Sequence, residues 1–423
     1  MTEAFLSYLW QYQLFNAPLI SLHGEDISIQ KPGHLNTDSG PDFFNARIKI
    51  GSTLWVGNVE IHIRSSDWYL HQHEEDPAYN NTILHVVFEH DREVKTEDGS
   101  LLSCLELKGK FDTNSLYKYE YLLHNKNWIP CSKQIHEISD FDWKNWMERL
   151  AVERLEKKSE FVDELLSSTQ NNWEKAFFVS LAGYFGQKIN KLPFQILARS
   201  IEPNILSKHK DQIHQLEALF FGQAGLLEED TEEPYHQNLK REYNFLRKKY
   251  KLVAMPKHLW KYMRLRPAAF PDIRIAQLAE LHYQNEFLFS RVLEANSLTD
   301  LQSLLEVSAS SYWDSHYRFK VDSPKKVKKL GKTTQMGIVI NTFIPFLFVY
   351  GRRKGEPKYE DLSLTLLGEI KPEQNKITRN FTDLGKKAAT ALESQAMIEL
   401  YQNYCNYKKC LSCRVGAVIL KSH

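Results

Sequence analysis

Apolar and polar residues alternate along several short stretches in the first third of the chain, then give way to spacings of three and four. FFNARIKIG at 43–51 places Phe44, Ala46, Ile48 and Ile50 on one side of an extended segment. Gly51 and Ser52 turn the chain, and TLWVGNVEIHI at 53–63 returns, so an antiparallel pair is expected. Residues 3–15 have helical spacing. ISIQKPG at 27–33 reads as a short strand entering a turn, and SDWYLHQHEED as a short helix capped by Ser66 or Asp67. NTILHVVFEHD at 81–91 is β-branched and apolar, the pattern of a strand buried on both faces. REVKTEDGSLLSCLEL holds an Asp98-Gly99 turn and reads as a hairpin. The expected order is helix, three strands, helix, strand, an α/β domain over 1–138.

From Ser139 the period is helical. WKNWMERLAVERLEKKSEFVDELL follows a cap at Ser139 or Asp140, and helices continue to about residue 310, broken at Pro193, Pro203, Pro256, Pro267 and Pro271. The polar stretch 351–376 reads as a loop, and a last helix over 378–404 leads into a cysteine-rich tail. The expected fold class is therefore α+β, with a larger, mostly helical domain over 139–423. GIVINTFIPFLFVY at 337–350 is too short for a membrane span and contains Pro345, which predicts a buried segment.

A net charge of +1 gives the molecule no strong field, so any hold on nucleic acid must come from local patches. MTEAFLSYLWQYQLF has neither a basic region nor a small-residue cleavage site, and five cysteines, an odd number, argue against a disulfide framework. A cytoplasmic protein without a membrane partner is expected.

The chemistry gathers around the paired strands. Asp42 precedes the first, and Glu60 and His62 share a face of the second. Two carboxylates and one further donor suit a hard divalent cation, Mg or Mn, which would polarise a phosphodiester and activate a water. Plainer roles exist: GPD is turn chemistry, and Glu60 and His62 could line a solvated face. His71, His73, Asp76 and His85 follow closely. On a continuous helix His71 and His73 diverge, so one metal takes both only if the helix has ended. A zinc hydrolase would need at least three of His62, His71, His73, Asp76 and His85 at one point.

Cys405, Cys410 and Cys413 have the spacing C-x4-C-x2-C. The closer pair can wrap one metal, and the same order of spacings occurs in plant-type iron–sulfur proteins, which add a distant fourth cysteine. Cys131 is the candidate fourth. Cys104, in LLSCLEL, reads as a core residue. Zinc and an iron–sulfur cluster both fit this set, and so do three reduced thiols beside a helix end. In RLRPAAFPDIRIAQLAEL, Arg264, Arg266 and Arg274 with Phe270 could hold a phosphate backbone and stack a base, or could pair with acids at a helix junction. Lys325, Lys326, Lys328 and Lys329, with Arg352, Arg353 and Lys354, form further basic spots.

Pro41-Asp42 before one strand and Glu60 in the next, within this order of elements, resemble the PD-(D/E)xK restriction-endonuclease-like nucleases over about residues 1–110. The resemblance implies a metal-dependent nuclease or phosphodiesterase acting on DNA or RNA. Asp42 and Glu60 would bind the cation, His62 would stand where the superfamily has lysine, and His85 would support them from the adjacent strand. A histidine can ligate metal or act as a base but supplies no permanent cation. An inactive core that binds nucleic acid or serves as a scaffold, with a structural metal, is the alternative. Some nucleases of that superfamily close their domain with four cysteines on an iron–sulfur cluster; here Cys131 follows the nuclease-like segment instead of preceding it. Across nearly its whole length, through GPDFFNA, VEIHIRSSDW, HxHxxDxAYNN, RPAAFPDIRIAQLA and CxxxxCxxC, the chain also resembles a family of uncharacterised bacterial proteins, which implies no activity.

Overall fold

The computed structural model describes residues 1–421. The chain forms two compact units, Met1–Trp146 together with the chain from Leu400 onward, and Met147–Glu399. The cysteine tail, which sequence pattern assigned to the helical domain, thus belongs with the N-terminal unit.

Seven strands build the sheet of the first unit: β1 (Leu19–Ile20), β2 (Asp26–Lys31), β3 (His34–Leu35), β4 (Phe43–Ile50), β5 (Thr53–Arg64), β6 (Thr82–Glu89) and β7 (Cys104–Glu106). Their order is β1-β2-β4-β5-β6-β7, with β3 paired to the first residues of β4. Strands β2, β4 and β5 are antiparallel neighbours, whereas β6 runs parallel to β5 and β7 parallel to β6. The expected face of β4 is corrected at one position. A bulge at Asn45, φ +56°, changes the phase, so Phe43, not Phe44, is buried with Ala46, Ile48 and Ile50. The expected hairpin at 92–107 closes with a single bridge, Lys95 to Leu101, and its second arm pairs with β6 instead.

A parallel β5–β6 pair needs a crossover, and residues 65–81 supply it with α2 (Asp67–Leu70) and two short 3₁₀ turns. Gly57 lets these strands close at their start. A Cβ there would overlap Ile83 Cγ2 and the Asn81 carbonyl oxygen. Gly57→Ala is therefore expected to cost about 1–3 kcal/mol through overpacking; an unshifted urea midpoint would contradict this.

Helix α1 (Glu3–Gln11), capped by the Thr2 hydroxyl, buries Phe5, Leu6, Tyr8, Leu9 and Trp10 and packs on β5. Helix α3 (Thr113–His124) packs against the final helix, Arg414–Lys421. The tail is fastened further by Trp128 stacked on Tyr401, with centroids 4.8 Å apart, and by Arg414 paired with Asp142 at 2.6 Å.

The second unit is a helical body around one aromatic-rich core that includes Phe177, Phe185, Phe220, Phe343, Phe346 and Trp313. Pro203 and Pro271 occupy first turns, where a missing N–H costs nothing. Pro193 does not end its helix, Gln187–Arg199, which bends at Asn190 instead. The stretch expected as a loop contains the helix Pro357–Glu369, held by buried Ser363, Leu366 and Leu367. The expected last helix is divided into Lys376–Asp383, Ala391–Glu399 and a π-turn, Leu400–Cys405. Residues 337–350 lie within a helical run, Lys332–Lys354, long and apolar enough by length and composition to cross a membrane; its central side chains form part of the core, as the sequence reading anticipated.

Candidate metal centre

Pairing of β4 with β5 sets Phe43 opposite Val59, which brings Asp42 beside Glu60. The two brace each other through the backbone. The Asp42 N–H donates to Glu60 Oε2 at 3.0 Å, and the Ile61 N–H donates to Asp42 Oδ2 at 3.1 Å. Two carboxylates held this close in a shielded place resist sharing negative charge. Burial first, and then Glu60, push the Asp42 carboxyl up to about 7, a cost that a bound cation removes.

Glu60, His62 and His85 are all buried. The parallel register puts Glu60 level with His85, and His62 Nδ1 lies 2.8 Å from His85 Nε2. With the proton assigned to His62 Nδ1, His85 accepts it and the lone pair of His62 Nε2 faces the cluster. This is the way an outer partner fixes a ligand's tautomer. Burial, reinforced by neighbouring imidazoles, lowers His62 to about 2 and His85 to about 3, so both are neutral at ordinary pH.

The turn after α2 completes the set. That helix ends at Leu70, and Gln72 takes a left-handed conformation, φ +61°. This swings His73 to the same side as His71. His71 Nδ1 lies 3.1 Å from His62 Nε2, and one nitrogen from each of His62, His71 and His73 falls within 4.8 Å of the others. Glu60 Oε1 lies 3.6 Å from His62 Nε2 and 3.4 Å from His73 Nε2. His73 Nε2 is buried with no hydrogen-bond partner, as befits a ligand atom. Its ring stacks on Tyr79 at 3.8 Å, and Trp68 packs edge-on against both His73 and Tyr79.

Sequence reasoning missed Glu3 and Tyr79. The Glu3 carboxyl, at the first turn of α1, is raised by burial and feels His71, Asp67, Glu60 and His73. Tyr79 is pushed up to about 12 by burial and by Glu60, Asp76 and Asp42. Neither carries a local signal, because each arrives through packing. Asp76 does not join the cluster; it caps the turn at Ala78.

The cysteines form a second group. Cys131, Cys405, Cys410 and Cys413 are near enough to influence one another's ionisation, whereas Cys104 stands apart on β7. Burial and the neighbouring thiols raise Cys131 and Cys405, and burial with Cys413 takes Cys410 up to about 12. Cys413 sits at the start of the helix Arg414–Lys421, where the Val415 and Gly416 N–H groups donate to its sulfur. Gly416 has no room for a side chain, since a Cβ would meet the Cys410 carbonyl oxygen.

The arginines suggested for nucleic acid do not act together. Arg264 and Arg266 are exposed. Arg274 is buried inside the second unit, where it donates to Gln277 and Thr334 and offers no surface to a polymer.

The fold and the clustered donors define a mixed α+β protein with a histidine–carboxylate centre in its N-terminal unit. Residues 3–376 match the family described as "Protein of unknown function (DUF2851)", and the chain belongs to it. No curated protein and no solved structure matches the chain.

Proposed function

We propose that the protein is a metal-dependent phosphodiesterase, a nuclease for DNA or RNA, with Asp42, Glu60, His62, His71 and His73 as its centre. The observation that carries this reading is the convergence of three imidazoles and the Glu60 carboxylate, with Asp42 braced beside Glu60. The element order supports it: α1, the antiparallel run β2-β4-β5, α2, then parallel β6, with Asp42 leading one central strand and Glu60 within the next. This is the order expected of a restriction-endonuclease-like core. In this reading His62 is a ligand, not a replacement for the lysine. Three imidazoles shift preference from Mg toward Mn or Zn. The ion would supply Lewis acidity and an activated water. The chain's own part is to hold the donors, with Trp68 and Tyr79 fixing His73 and His85 fixing His62.

The test is a panel of single- and double-stranded DNA, RNA and bis(p-nitrophenyl) phosphate, offered to chelator-treated protein resupplied with Mn, Zn or Mg. Cleavage restored by Mn or Zn is expected. Tight metal binding with no cleavage of any substrate would instead favour the nucleic-acid-binding or scaffold reading.

For the four cysteines we propose a structural metal centre. Four cysteines suit zinc or an iron–sulfur cluster, and these four groups are near enough to interact electrostatically.

A further inference from the structure

The helical unit contains a cleft of about 670 Å³, wide enough for a nucleotide-sized molecule. Its lining is unusual in sign. It includes Lys157, Lys158, Lys188 and Lys191 and no carboxylate. Lys157 is paired with Glu153 and Glu399. The other three lysines are not neutralised by any acid in ion-pair contact among the described residues. Lys158 donates only to neutral oxygens: Asn341 Oδ1 at 2.9 Å, Gln395 Oε1 at 2.7 Å and the Ile340 carbonyl at 3.3 Å. Lys191 lies over the Phe161 ring at 4.8 Å, and Lys188 is exposed.

One buried polar group that lines the cleft lacks a partner, and a second stands next to a lining residue. Thr342 lines it, is 1% exposed, and its hydroxyl makes no hydrogen bond. Arg274, 6% exposed, binds the hydroxyl of the lining residue Thr334, leaves its Nε without a partner and has no carboxylate in ion-pair contact among the described residues. Thr342 belongs to the π-turn Val339–Phe343, a local departure from α-helix of the kind often found at functional sites. Phe161, Val162, Tyr184 and Pro345 add apolar and aromatic surface to the same lining.

We propose that this cleft binds a small phosphorylated anion, with its phosphates received by Lys188, Lys191 and the hydroxyls of Thr334 and Thr342. Lysines beside hydroxyl donors are common phosphate receivers. The proposal is independent of the metal centre, because no residue is shared.

Calorimetric titration of the full-length protein with pyrophosphate, ATP and adenosine tests it. Binding of pyrophosphate or ATP is expected, and adenosine alone should not bind. ATP binding at least tenfold tighter than pyrophosphate supports a nucleotide; equal binding supports a phosphate compound without a base. The exposed pair Lys188→Glu/Lys191→Glu should weaken the anion at least tenfold while the thermal midpoint without ligand stays put. Thr342→Val should weaken the anion without lowering that midpoint, because the hydroxyl it removes has no partner in the fold. Absence of binding by wild type at millimolar pyrophosphate and ATP overturns the proposal, as does binding that ignores the charge reversal.

Discussion

Glu60→Gln and His73→Ala are each expected to lower manganese affinity by at least about 100-fold, the upper end of what losing even an outer partner of a metal ligand costs. Phosphodiester cleavage should fall with occupancy. Loss should be steeper for Glu60→Gln, since Glu60 approaches both His62 and His73 and anchors the Asp42 backbone. His85→Ala should lie between these variants and wild type, because His85 orients the ligand His62 through a hydrogen bond and is not itself in the donor cluster. Stability of the metal-free protein should move the other way. Asp42 has a carboxyl raised from its ordinary 3.8 to about 7 by burial and by Glu60. A raised carboxyl binds its proton more tightly folded than unfolded. Its contribution is therefore complete below pH 4 and is lost as pH rises toward 7. Chelated wild type should lose stability across that window, and Glu60→Gln, which removes the repelling neighbour, should flatten the loss. Equal metal affinity in wild type and both ligand variants, read by calorimetry, would remove the centre from consideration.

Part of this centre was legible before any coordinates. Period-two alternation set the face of β5 and of β4 beyond its bulge at Asn45, and the turn at Gly51 set their pairing, so Asp42, Glu60 and His62 could be placed near one another. The convergence of His71 and His73 could not be read. It depends on Gln72 at φ +61°, a conformation that residue type does not announce for glutamine. Glu3 was invisible for another reason: its position follows from how α1 lies on β5, a tertiary contact. The helix Pro357–Glu369 was hidden by polar composition, although Pro357 opens it and Ser363, Leu366 and Leu367 bury one side. Arg274 was misleading in the opposite sense. Its neighbours Asp272 and Gln277 are polar, yet the whole turn is interior, so polarity did not mark a surface. The cysteines were countable from sequence. That they close the N-terminal unit is decided by contacts such as Trp128 on Tyr401 and Asp142 with Arg414, which spacing alone does not encode.

Cys413→Ala is expected to release the tail. Cys413 is the cysteine most firmly set for ligation, with two N–H groups aimed at its sulfur and a glycine, Gly416, that allows the loop to fold over it. Its thiol and its three partners are raised by burial, and such thiols are poor ligands until a metal displaces their protons. A metal bound there would contribute through folding: it would tie residue 131 to residues 405–413 and be lost with any one ligand. Protein prepared without oxygen should be coloured if the centre is a multi-iron cluster, or colourless with one zinc if it is a single ion. Cys413→Ala should lack either metal, and its thermal midpoint should fall by at least about 6 °C, the shift that roughly 3 kcal/mol produces in a domain of this size. Protease should then cut near Leu400, where the chain returns to the N-terminal unit. The sheet should survive, because Phe43, Val59, Leu84 and Val86, on the paired strands β4, β5 and β6, are fully buried. Cys104→Ala is the control: Cys104 lies on β7 away from the four, so metal content should not change. A Cys413→Ala protein with wild-type metal content and an uncut tail would show that these thiols are reduced and structural, held by packing alone.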